Sequence, residues 1–284
     1  MTAPAPTPLS RARALARSTH PGPTLAVTAL TVLLGIGVGV TGIDLVLLGT
    51  AMLLGQASVG LSNDWQDAGR DAAAGRTDKP VALGDVTPEA ARNAALATAA
   101  AAVVCSIPFG PAFIFVHGVF LASAWGYNLG LKGTRFSVVP YLVSFGLLPV
   151  LVALARSEHD MAAPWAIVAG GLMGAAAHFA NVIPDLEDDS RTGIRGLPHR
   201  LGMRGSGLTA FGVLLAAGLI VALAPAGPPD AWQWLGLAAT LLIVVLGLAL
   251  VAVRRATRLM FLLIIVAALV TVVMLVISGE RMLL

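Results

Sequence analysis

The stretch Ser62–Pro80, SNDWQDAGRDAAAGRTDKP, places Asp64, Asp67, Asp71 and Asp78 directly after a long apolar run. The chain around it is 57% hydrophobic and only 12% charged. Four carboxylates this close together repel one another unless something positive sits among them, so the stretch calls for a cationic partner.

A soluble domain carries about 25% charged residues, well above this chain, and the mean hydropathy here is +0.86. Apolar runs nearly free of charge recur along the sequence, the pattern of an all-α polytopic membrane protein embedded in the lipid bilayer. Nine transmembrane helices are predicted, near 24–42, 44–62, 88–107, 110–128, 137–155, 163–182, 206–224, 231–253 and 259–278. The 31 glycines suit helices that approach closely in lipid. No polar linker divides the chain, so residues 21–284 read as one domain after a disordered tip over 1–20. The run from Leu25 to Gly42 is long for a signal-peptide core and ends without a clear cleavage site, so it reads as a retained first helix. The single Cys105 excludes a disulfide framework.

The basic residues set the orientation. With the N-terminus in the cytoplasm and nine alternating spans, 16 of the 18 lysines and arginines face inside, and only Arg156 and Arg281 face outside. This partition explains the basic pI without a nucleic-acid partner, and it puts the carboxylates of the opening stretch at the cytoplasmic rim. A second acidic cluster, NVIPDLEDD, follows the sixth span and also faces inside. Asp44, Glu158 and Asp160 read as solvated outer-loop residues.

The two clusters share a spacing. Asn63, Asp67 and Asp71 read N-x-x-x-D-x-x-x-D, and so do Asn181, Asp185 and Asp189, 118 residues later. Residues at i, i+4 and i+8 stay on one face of a helix. Carboxylate and amide oxygens are ligands for hard cations, and Mg²⁺ typically takes one or two carboxylates plus substrate phosphates. Two such faces across a cavity would hold Mg²⁺ and, through it, a diphosphate, with nearby Arg and Lys on the remaining anionic oxygens. The competing reading is a set of solvated loop acids and helix caps. It accounts for one cluster more easily than for two with the same spacing.

These paired motifs, with RTDKP after the first and GIRGLPHRLG after the second, resemble the UbiA superfamily of intramembrane prenyltransferases. The likeness runs from about His20 onward. The second motif is most similar to the dihydroxynaphthoate and homogentisate branches. The resemblance implies a helical bundle around a central cavity open to lipid, with two Mg²⁺ ions bridging a prenyl diphosphate to the motifs. It implies Asn63, Asp64, Asp67 and Asp71 at the first metal and Asn181, Asp185 and Asp189 at the second. Asp67, Asp71, Asp185 and Asp189 are the ligands expected to be irreplaceable; Asp188 would point away from Asp189. The family's basic pair falls on Arg76 and Lys79, and its Tyr-and-Lys element, in YNLGLKGT, on Tyr127 and Lys132. Arg195 and Arg200 stand where further phosphate ligands would, although they also serve as topology signals. Two positions depart from the pattern: Lys79 stands where many members carry Arg, and Val182 where an Asp is frequent.

The expected reaction is Mg²⁺-dependent transfer of a prenyl group to an aromatic or lipid acceptor, in a bacterial plasma membrane with the site facing the cytoplasm. A membrane terpene cyclase would carry the same motifs. A transporter or cation permease would instead place charges near the bilayer midplane, where this chain has almost none. A phosphatidyltransferase would need a D-G-x-x-A-R spacing that is absent. His20, His117, His159 and His178 show no ligand spacing and read as helix-end or packing residues, with His178 the one placed to line the cavity. His199 reads as a loop residue, and Trp65 as an interfacial anchor.

Overall fold

The computed structural model describes residues 8–157, 160–186, 193, 195–253 and 257–284. Among these residues all regular secondary structure is helical, apart from one isolated bridge between Ala162 and Leu283. Each predicted span coincides with a helix. In order these are α2 (Pro21–Gly37), α3 (Gly42–Ala73), α4 (Pro88–Ser106), α5 (Gly110–Asn128), α6 (Val139–Arg156), α7 (Pro164–Val182), α8 (Leu197–Leu223), α9 (Ala231–Ala252) and α10 (Thr257–Ser278).

Among the described residues seven stretches are long and apolar enough to cross a membrane, and the bent pair Leu9–Ser18 and Pro21–Gly37, at 61°, makes an eighth if it counts as one span. One of the seven, Pro88–Asn128, is 41 residues long. It folds back on itself. Ser106 Oγ and His117 Nδ1 are 2.8 Å apart, whereas eleven residues of straight helix would separate them by about 16 Å. Gly110, at φ 86°, makes the reversal.

Residues 8–18, expected within a disordered tip, instead form α1 (Pro8–Ser18). Tertiary packing accounts for the difference. Ala14 docks on Val81, Val86 and Ala91, with Leu15, Trp65 and Ala68 beside them, and Arg17 donates to the Asp78 carbonyl. Trp65 therefore sits within a small core of its own, formed by α1, the C-terminal end of α3 and the segment that follows it.

Helix α3 corrects a second expectation. Hydropathy ends the second span near residue 62, but the helix continues to Ala73. Its 32 residues span about 48 Å, against a hydrocarbon core of about 30 Å, so the last turns stand beyond the apolar layer. Gly75, at φ 67°, stops it: Gly75 N–H bonds to Ala72 O at 3.1 Å and Arg76 N–H to Asp71 O at 3.0 Å. This is the paired C-terminal lock that a left-handed glycine permits.

Small residues bring α6 against α7. A β-carbon on Gly174 would lie 2.3 Å from the Tyr141 carbonyl oxygen, and one on Gly170 would lie 2.6 Å from that of Phe145. The regular part of α7 ends at Val182, followed by a 3₁₀ turn over Ile183–Asp185. Pro184 has no N–H to continue the α ladder. The second motif is therefore not one uninterrupted α-helical face, unlike the first. Helix α8 is broken at Gly202 (φ 65°, ψ 177°).

Candidate active site

The long C-terminal end of α3 presents the first motif. Asn63 and Asp67 lie one turn apart, and Asn63 Nδ2 donates to Asp67 Oδ2 at 3.3 Å. Asp64 and Asp67 are 1% and 8% exposed, a degree of burial that an ionised carboxylate sustains only with partners. Lys132, on the α5–α6 connection, donates to both oxygens of Asp67 at 2.5 and 2.6 Å. Arg70, one turn along α3, also donates to Asp67. Lys79 Nζ reaches Asp64 Oδ1 at 2.6 Å and Asn63 Oδ1 at 3.0 Å, and lies 3.8 Å from Asp71. The structure thus gathers six sequence-nominated residues: Asn63, Asp64, Asp67, Asp71, Lys79 and Lys132.

Helix α5 is fixed against this end of α3. Asn128 donates to Val59 O at 2.9 Å and Ser62 Oγ at 2.7 Å, and accepts from Asn63 Nδ2 at 3.2 Å. Trp125 Nε1 donates to Ser58 Oγ at 3.1 Å. These bonds hold the following turn, and with it Lys132, over the carboxylates.

The second motif contributes Asn181, whose Nδ2 donates to Tyr141 Oη at 3.2 Å. Asp185 falls in the 3₁₀ turn that follows. Asp188 and Asp189 lie outside the described residues, as do Glu158 and His159. Arg76 pairs bidentately with Asp78, at 2.8 Å for both bonds, on the exposed loop after α3. That guanidinium holds the Asp78 carboxyl well below the usual carboxylate range. Arg200 donates to the Arg195 carbonyl at 3.3 Å. Burial pushes the Lys132 ammonium below its ordinary value, and Asp67 beside it works in the opposite direction.

Two cavities meet here. A polar one of about 260 Å³ is lined by Asp67, Lys132, His178 and His199, among others. A more apolar one of about 350 Å³ runs between α2, α3, α5 and α6, past Val27, Val59, Phe120 and Phe145. Asn63, Tyr127 and Asn181 line both. Tyr127 is edge-on to Tyr141 and to His178, with ring centroids 5.3 and 5.8 Å away. His178 Nε2 meets Ser137 Oγ at 3.0 Å, and that oxygen also accepts from Leu197 N.

Sequence reasoning set His20 aside as a helix-end residue, yet its Nε2 lies 2.7 Å from Asp64 Oδ1. Tyr141 and Asn128 are not among the residues that the sequence nominates, and His199, which reads there as a loop residue, sits in the first turn of α8. Asn128 adjoins Tyr127 in the nominated YNLGLKGT element, a signal that was available. Tyr141 carries none.

In chemistry the donor set suits a divalent cation, although among the described residues no three Asp, Glu, His or Cys side chains converge closely enough in this structure to hold one. Three carboxylates and an amide are oxygen ligands of the type Mg²⁺ prefers. Asp64 Oδ2 is buried with no hydrogen-bond partner, an orphaned acceptor that a cation would satisfy.

Comparison with known proteins agrees with this architecture. A UbiA homologue from Archaeoglobus fulgidus bound to DMAPP and Mg²⁺ superposes with a TM-score of 0.72 at 14% identity, covering 93% of this chain and 99% of that one. The structure bound to GPP and Mg²⁺ gives 0.70 at 12% identity, with the same coverage. The apo structure of a UbiA homologue from Aeropyrum pernix K1 gives 0.69 at 20% identity, covering 89% and 98%. No curated protein matches the chain in sequence. At these identities the structures establish the fold; the sequence match, to the UbiA prenyltransferase family, extends over residues 23–259. The chain is therefore a multi-pass membrane protein that belongs to the UbiA prenyltransferase family.

Proposed function

We propose that the chain transfers a prenyl group from an allylic prenyl diphosphate to an electron-rich, aromatic acceptor at the cytoplasmic rim of the bilayer. The observation that carries this reading is the junction at Asn63, Tyr127 and Asn181 of a polar cavity with an apolar one. A prenyl diphosphate has one end suited to each. The Archaeoglobus fulgidus homologue, solved bound to GPP and Mg²⁺ and bound to DMAPP and Mg²⁺, supports the donor class, and the sixteen-to-two partition of basic residues supports the orientation.

In this reading Asn63, Asp64, Asp67 and Asp71 would hold one Mg²⁺, and Asn181, Asp185 and Asp189 a second. Bound Mg²⁺ supplies charge neutralisation that makes diphosphate a better leaving group. Lys132 and Lys79 take the remaining anionic oxygens, joined by Arg76 and Arg195 from their loops and by Arg200 from the first turn of α8. The allylic C–O bond breaks, and its electron pair leaves on the diphosphate. The apolar walls exclude water from the allylic cation, and the faces of Tyr127 and Tyr141 stabilise it. The acceptor ring bonds to C1 of the prenyl chain and then loses its proton to the released diphosphate, the base that the reaction itself supplies.

The test uses the purified full-length protein with Mg²⁺ and allylic diphosphates of increasing chain length, with and without phenolic, naphthoic or glycerol-type acceptors. Diphosphate release and product mass are recorded beside Asp67→Asn and Asp185→Asn. Release that needs Mg²⁺ and both carboxylates, with a prenylated acceptor, is the expected result. A hydrocarbon formed without acceptor would make the chain a cyclase. No release from folded protein with any donor would overturn the reading.

A further inference from the structure

His20 is the single non-glycine residue with positive φ among the described residues, at φ 53° and ψ 68°. It precedes Pro21, and a residue before proline ordinarily sits extended. Such strain persists only where the surroundings over-determine it, and it gathers at functional sites. Two contacts impose it here. The carbonyl of the preceding Thr19 lies against α3 so closely that a β-carbon on Gly60 would be 2.2 Å from its oxygen. The imidazole then reaches Asp64, 44 residues further along the chain.

The imidazole contact has one chemically consistent form. Nε2 is 2.7 Å from Asp64 Oδ1 and 3.2 Å from Lys79 Nζ. One ring nitrogen cannot both donate to the carboxylate and accept from the ammonium. The shorter bond to a charged acceptor is the stronger, so Nε2–H donates to Asp64. Lys79 reaches the same oxygen at 2.6 Å. Oδ1 is thus held twice, and Oδ2 remains buried without a hydrogen-bond partner.

We infer that His20 is a positioning residue for a divalent-cation ligand. The strained turn between α1 and α2 holds Asp64 by Oδ1 so that Oδ2 is presented to the cation. This rests on the proposed reading of the site. It gives the N-terminal helix pair a task in the chemistry beyond membrane anchoring, because α1 and Thr19 set the turn that aims the imidazole.

The test compares the parent protein with His20→Gly and His20→Gln, full length in detergent. Glycine takes positive φ freely, so His20→Gly removes the side chain and relieves the backbone. Gln keeps a donor at a similar reach. Mn²⁺ is titrated without donor, and the free-ion paramagnetic signal is followed beside thermal unfolding. Loss of a residue that orients a metal ligand typically costs 10–100-fold in affinity. His20→Gly is therefore expected to bind Mn²⁺ at least about ten-fold more weakly while unfolding no earlier than the parent. His20→Gln should recover most of the affinity, and raised Mg²⁺ should partly restore turnover in His20→Gly. Unchanged Mn²⁺ affinity in His20→Gly overturns the inference. So does a weakened affinity that accompanies earlier unfolding and is not recovered by Gln, because His20 would then act on the fold. A parent protein that binds no Mn²⁺ removes the cation site and this inference with it. A parent that binds Mn²⁺ but turns over no prenyl diphosphate defeats the proposed reaction alone, and the His20 comparison still reads out.

Discussion

Lys132 Nζ lies within 2.6 Å of both carboxylate oxygens of Asp67, across 65 residues of chain. Each group is the other's counter-charge in a largely buried setting, and removing one leaves the other uncompensated. Asp67→Asn is expected to lower diphosphate release at least about 10²-fold, a scale typical of losing one electrostatic contact in an active site, with the helical circular dichroism unchanged. Lys132→Met should raise the donor KM and lower the melting temperature. The double variant should lose less than the two single effects combined, because neither partner is then left alone. Strict additivity in such a cycle would mean that the pair is not coupled.

The buried position of Lys132 makes a pH prediction with a definite sign. Burial lowers its folded pKa below the ordinary value. Between the two values the unfolded chain binds the proton and the folded chain does not. In that alkaline window the residue therefore makes stability rise with pH; below its folded pKa the cost of burying the ammonium is present in full. Activity runs the other way, since contact with the diphosphate needs the charged form. Turnover should fall as pH rises through the lowered value. Lys132→Arg, which stays charged, should carry the alkaline limb of the pH–rate profile to higher pH. A limb that does not move assigns it to another group.

Close helix approach predicts a contrast between two glycines. A β-carbon on Gly174 would lie 2.3 Å from the Tyr141 carbonyl oxygen and 2.7 Å from Phe145 Cβ, so Gly174→Ala must part α6 from α7. Overpacking of this kind costs about 1–3 kcal/mol, and here it also displaces a wall of both cavities. Gly212, in α8, has nothing within 4 Å of its β-carbon position. Gly212→Ala should be neutral or stabilising by up to about 1 kcal/mol. Thermal unfolding of the two variants in detergent checks the contrast, and equal effects would refute it.

Tyr141 offers a milder probe of the second motif. Its hydroxyl accepts from Asn181 Nδ2 at 3.2 Å, and its ring stacks on Phe145 with centroids 6.3 Å apart. Tyr141→Phe keeps the ring and removes one hydrogen bond, a loss of about 0.5–1.5 kcal/mol. The donor KM should rise a few-fold, with kcat within about two-fold, as for a contact made equally in ground and transition states. A kcat loss as large as that of Asp67→Asn would give the hydroxyl a direct part in the chemistry.

Local sequence pattern suffices to identify a helical membrane protein and to locate its apolar helices. Spanning hydrocarbon needs about 17–25 apolar residues whatever the neighbours are, so the signal is local and each predicted run coincides with a helix. Motif spacing likewise nominated Asn63, Asp67 and Asp71, because i, i+4 spacing is a property of one helix; Asp64 followed only from the family resemblance. Three-dimensional structure decided the rest. Hydropathy ended the second span at residue 62, yet α3 runs on through polar residues to the glycine lock at Gly75. Equal spacing in the second motif did not produce an equal helical face, because Pro184 interrupts the α ladder. Above all, Lys132 on Asp67, Asn181 on Tyr141 and His20 on Asp64 join residues 65, 40 and 44 positions apart. Such pairs follow from how helices pack, and packing is set by shape and close approach at Gly60 and Gly174, which no local pattern of hydrophobicity or charge encodes.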